Sequence, residues 1–197
     1  AAEAALRDYT ELAADQWQMR LETNLVEMLR NELVSMRLSP HMQETQVLAM
    51  MSDSAICKCL EPSDILVRAV VAVNDISRSV VDGNLPYPEL AALADTIHTH
   101  PAARVSSDWS VSWLLAANED LAGVYGYFVT NEEPKFAVLY KVTDGGFSTL
   151  LDSIFSNEAL LFGGTHTGIR NDSLFAVSVT DASGRVLMMN AEEDAPI

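Results

Sequence analysis

The chain has 197 residues, 49% of them hydrophobic, and 12 basic against 28 acidic residues give it a net charge of −16. Such acidity serves solubility and argues against nucleic acid or an anionic membrane surface as partner. The length suits one large domain or two small ones, no run of about eighteen apolar residues is present to span a bilayer, and residues 1–30 carry charges throughout, unlike a signal peptide.

From Ala1 to Leu38 there is neither Gly nor Pro, and the residues are strong helix formers. Leu6, Tyr9, Ala13, Trp17, Leu21, Leu25 and Met28 recur at steps of three and four, which puts them on one helix face. The opening AAEAALRDY offers no capping residue ahead of its first apolar position. An uncapped helix continues upstream, so the chain is expected to be cut from a longer protein. Pro40 ends the helix, and 41–51 predicts a second, short one.

Residues 65–73, ILVRAVVAV, predict a buried strand, and 76–81, ISRSVV, its hairpin partner across Asn74-Asp75. A helix is expected over 86–100, with Pro88 in its first turn and Pro101 closing it. Strands follow at 121–130 and 135–143, joined by a NEEP turn; apolar residues on both faces of the first imply cover on both sides. Asp144-Gly145-Gly146 interrupts the pattern, and 147–161 predicts a helix with Leu150, Leu151, Ile154 and Phe155 on its apolar face. After an irregular loop at 163–173, Phe175, Val177 and Val179 alternate as in a half-buried strand, which returns through Ala182-Ser183-Gly184. The sum is an α+β domain with one antiparallel sheet holding 65–73, 121–130, 135–143 and 174–180, inserted helices, and the long first helix packed on it.

Four constellations carry chemistry. Cys57-Lys58-Cys59 allows a small disulfide, two partly buried thiols, or part of a metal site. The nearest histidine, His41, lies sixteen positions upstream and no second CxC or CxxC exists, so a disulfide or structural pair is expected, with no metal. His98 and His100 fall on different faces of their helix, near a C-terminus whose dipole favours them. The loop 163–172 is Gly-rich and holds hydroxyls, His166 and Arg170, but neither a phosphate-binding glycine motif nor a GxSxG elbow; it serves as a connecting loop whose Asn and Asp cap turns, or contacts a ligand. Tyr125, Tyr127 and Tyr140 lie on neighbouring predicted strands, with Trp109 and Trp113 upstream. They serve as core or as pocket wall, and with Arg170 they would suit a carboxylate. The expected ligand site is Tyr125, Tyr127 and Tyr140 beside the loop carrying His166 and Arg170.

The order of elements, with the segment Asn171-Asp172-Ser173-Leu174-Phe175-Ala176-Val177-Ser178-Val179-Thr180-Asp181-Ala182-Ser183-Gly184-Arg185-Val186-Leu187, resembles the PAS-like (Cache-type) extracytoplasmic sensor domains of bacterial sensor histidine kinases. In that family a strand, a D-x-x-G-R-V turn and a return strand sit just before the second membrane span. Arg7-Asp8-Tyr9 through Trp17 and Arg20 looks like the helix that leaves the first span. The likeness runs through most of the chain in element order and is specific in residues only at the two ends. It implies a membrane-proximal signalling helix at 1–40, a PAS-like sensor domain at 41–190 and a tether at 191–197. It further implies a periplasmic, non-enzymatic sensory module of a membrane-bound two-component kinase, which binds a small molecule or partner protein, needs no cofactor, and dimerises through residues 1–38. The other reading is a structural or dimerisation module of a membrane receptor with no ligand. A secreted hydrolase lacks any convergent nucleophile–base motif.

Overall fold

The computed structural model describes residues 2–52, 60–117, 119–133, 135–157, 178–180, 184 and 186–189. The unbroken run of helix formers gives α1, Ala2–Met36. It ends where Arg37 turns left-handed (φ 50°) and its N–H returns to the Val34 carbonyl at 3.3 Å. A short α2, Glu44–Ser52, follows.

The strands are β1, Ile65–Ala72; β2, Val80–Asp82; β3, Ala103–Arg104; β4, Trp109–Ala117; β5, Ala122–Thr130; and β6, Phe136–Val142. They form one antiparallel sheet in the order β2-β1-β6-β5-β4-β3. The helix α3, Tyr87–Thr99, links β2 to β3, and α4, Asp144–Asn157, follows β6. Gly83 carries the chain out of β2 toward α3 with φ 110°, and a Cβ there would stand 2.9 Å from the Leu66 carbonyl oxygen.

Helices cover both faces, so the central strands β5 and β6 are buried on both sides. One face packs Leu25, Leu29, Leu33 and Met36 of α1, with α2 and α4, on Val138, Tyr140 and Phe128. The other packs Leu90, Leu93 and Ile97 of α3 on Ala69, Tyr127 and Leu139. Helix α1 comes close because of Gly126: a Cβ on that residue would lie 3.2 Å from both Leu29 and Trp113.

The mixed α+β architecture with one main antiparallel sheet agrees with the sequence reading, and several details correct it. Residues 178–180 form β7, which pairs with β8, Val186–Met189, as a separate two-stranded sheet rather than joining the main one. Residues 174–177 lie outside the described residues. The sheet instead recruits 109–117 and 103–104, which the pattern had not marked as strands. The second strand shortens to Val80–Asp82 because Ile76–Arg78 turns as a 3-10 helix, capped by the Ser79 N–H to Ile76 carbonyl bond. Asp144-Gly145-Gly146 opens α4 instead of interrupting it: the Thr143 hydroxyl accepts the Gly146 N–H at 2.9 Å as an N-cap. No helix among the described residues is long and apolar enough to cross a membrane.

Candidate functional site

The three tyrosines expected to share a pocket do not meet. All are fully buried. Tyr125 and Tyr127 point to the α3 face, whereas Tyr140 pairs with Gly126 in the β5–β6 ladder and points to the α1 face. His166, Arg170, Cys57 and Cys59 lie outside the described residues.

What surrounds each tyrosine differs. The Tyr125 hydroxyl lies 2.5 Å from Glu89 Oε1 of α3 and 3.0 Å from the Ala122 carbonyl. Lys141 of β6 donates to the same Glu89 oxygen at 2.5 Å, and its ammonium stands 5.5 Å from the Tyr125 ring centre. Glu89 and Lys141 side chains are only 15% and 18% exposed, so the pair is a largely desolvated clamp between α3 and the sheet. Burial first, then the Glu89 hydrogen bond and charge, hold the Tyr125 phenol well above its ordinary range. A proton shared between phenol and carboxylate thus stays on the phenol at neutral pH.

Tyr127 has no such partner. Ser112 stands opposite it in the β4–β5 ladder, but its hydroxyl turns to the carbonyls of Pro101 and Trp113 at 3.5 and 3.3 Å. The Tyr127 oxygen is buried without a hydrogen bond of good geometry; burial pushes its phenol up to about 12, with the neighbouring Ser112 hydroxyl working the other way.

On the α1 face the polar groups are Glu32, Arg68 and Tyr140. The Tyr140 hydroxyl donates to the Met36 sulfur at 3.5 Å. Burial raises its pKa, the nearby Glu32 charge raises it further, and Arg68 opposes both. Glu32 is 7% exposed, and burial pushes its carboxyl up to about 7, with the Ser35 hydroxyl working the other way. The Trp113 indole N–H donates to the Leu25 carbonyl at 2.9 Å, tying β4 to α1 directly.

Two clefts of about 500 Å³ open on the surface. One runs between the β1–β2 connection and α3 and is of mixed character, lined by Val73, Asn74, Asp75, Ile76, Asp95 and His98 among others. The other is apolar and lies between α1 and β4, lined by Leu21, Leu25, Trp113, Leu115, Phe147 and Val179 among others. Among the described residues no cluster of three or more His, Cys, Asp or Glu has the placement of a metal site.

Sequence reasoning missed Glu32, Arg68, Glu89 and Lys141. For Glu32 a signal existed: continuing the helical steps from Leu25 through Leu29 to Leu33 and Met36 places it on the apolar stripe. For Glu89 none did, because its partners are 36 and 52 residues away. No family model matches the chain, and neither a curated protein nor a solved structure matches it.

Proposed function

We propose that this chain is the extracytoplasmic, PAS-like sensory domain of a membrane-bound two-component histidine kinase, non-enzymatic, and that it transmits its signal through α1. The observation that carries this reading is α1 itself. Thirty-five helical residues span about 50 Å, yet the first buried side chain among those described is Leu25. Glu11, Leu12, Ala14 and Asp15 are exposed, with Leu12 at 47%. A rod whose buried seat runs from Leu25 to Met36, with Leu12, Ala14 and Asp15 exposed farther along, is suited to carrying a displacement away from the sheet.

The element order is compatible with the PAS-like reading: a long helix and a short one, the β1–β2 pair, α3, the four strands β3 to β6, α4 and the β7–β8 pair. A small ligand has room in the open cleft of mixed character beside α3, and the Glu89 clamp links α3 to β5 and β6, whose other face carries α1. A thermal-shift screen against amino acids, organic acids and purines tests this. The reading expects a stabilising compound whose effect is abolished by Ala91→Trp, which fills that cleft. A domain that responds to none of them favours the second reading, a ligand-free dimerisation and coupling module. One observation already leans that way: Tyr125, Tyr127 and Tyr140 are wholly enclosed, so the aromatic face of the sheet is packed core.

A further inference from the structure

The apolar stripe that seats α1 consists of Leu25, Leu29, Leu33 and Met36, all buried, and it contains one carboxyl group, Glu32. Its Oε1 has no hydrogen-bond partner. The groups facing it can be named element by element. Its own helix supplies Ser35. From β6 comes Tyr140, whose hydroxyl is engaged by Met36. From β1 comes Arg68, whose Nε is also buried without a partner and whose other end reaches Asp82 of β2 at 3.7 Å. Among their described residues, strands β4 and β5 present no charged side chain on this face: Trp109, Val111, Trp113 and Leu115 of β4, and Val124, Gly126, Phe128 and Thr130 of β5. The charged Glu44 of α2 is bound to Arg78, and Asp144 and Asp152 of α4 are exposed.

We propose that Glu32 is a proton-operated latch which sets how α1 is seated on the sheet. A neutral carboxyl is tolerated in an apolar seam, whereas a carboxylate there needs a cation or water. With the proton on, α1 lies as described, and the Trp113 indole holds the Leu25 carbonyl. With the proton lost to solvent, Arg68, which acts on the same Tyr140 hydroxyl as Glu32 and has an unsatisfied N–H to offer, is a cation among the described residues that can answer the charge. Closing that pair, or turning the carboxylate out to water, requires α1 to shift relative to β4 and β1. Packed interfaces change between discrete arrangements, so the shift is two-state. Burial places the change at neutral pH. The latch needs no bound ligand, and it holds whether the domain is a sensor or a coupling module.

The Trp113 indole N–H is a built-in reporter of the seat, observable as one resolved nitrogen–proton NMR resonance. Between about pH 5 and about pH 9 it should move in a single step with a midpoint at about 7. Glu32→Gln should abolish the step and keep the resonance at its low-pH position. A variant with His41, His98, His100 and His166 all changed to Gln should retain the step, because histidines titrate in the same range. A step that survives Glu32→Gln, is absent from the unmodified chain, or disappears with the histidines overturns the proposal. Should Glu32→Gln not fold, carbon-13 titration of the Glu32 carboxyl in the unmodified chain decides. A midpoint near the ordinary 4.5 refutes the latch, and one at about 7 supports it.

Discussion

A carboxyl group whose pKa rises on folding stabilises the fold only while it stays protonated. For Glu32, raised from 4.5 to about 7, the contribution is complete below pH 4.5 and is lost as pH climbs through 7. The shift corresponds to about 3 kcal/mol between those limits. Denaturant unfolding should therefore show stability falling from pH 5 to pH 8, and Glu32→Gln should be more stable than the unmodified chain at pH 8 and nearly equal to it at pH 5. The Glu89 clamp makes a different prediction, since both its charges are mostly buried and satisfied. Glu89→Leu leaves the Lys141 ammonium without its carboxylate and should cost about 3 kcal/mol. Adding Lys141→Leu should recover much of that loss, and the double-mutant cycle in urea measures the coupling.

At the level of elements, the seat of α1 depends on what one strand lacks. Gly126 has Leu29 and Trp113 within 3.2 Å of where a side chain would begin. Gly126→Val should destabilise by about 1–3 kcal/mol, and Leu29→Ala in the same chain should restore part of it by making room. Calorimetric melting of the single and the double variant beside the unmodified chain checks this. Helices α1 and α3 were legible because each carries one period over many turns. Strand β4 was legible in principle: Trp109, Val111 and Trp113 alternate with Ser110 and Ser112, yet Leu114 and Leu115 break the alternation where both faces become covered. The start of α4 hid behind two glycines, although Thr143 stood in the capping position. That 178–180 pairs with 186–189 apart from the main sheet depends on chain geometry, which no local pattern encodes.

Over the whole molecule, the candidate site was the least legible part, for a reason of register. Period-two alternation correctly places Tyr125 beside Tyr127, but whether Tyr140 joins them depends on how β6 slides along β5. It aligns with Gly126, and one residue of offset separates two faces of the sheet. The proposed dimer through α1 belongs to this scale as well. If the proposed membrane-bound sensor is right, single cysteines at Leu6, Tyr9 and Ala13, with Cys57 and Cys59 replaced, should cross-link in the full-length protein far more readily than at Arg7 and Glu11. Equal yields at both sets would show that α1 is not the seam. The position of β6 has one more consequence. It is the sixth strand to be made and it lies between the first and the fifth, so β1 waits for its inner neighbour while residues 73–135 are synthesised. At ribosomal speed that is roughly 3–13 s during which Ile65–Ala72, almost wholly apolar, has only the three residues of β2 to pair with. A chain arrested before Phe136 holds the β1–β2 and β3–β4–β5 pairings without the strand that joins them, and should therefore show weaker β-sheet circular dichroism than a chain extended past Val142. In the cell the same interval is when a holdase would find this protein, and its binding should fall abruptly once Val142 has emerged.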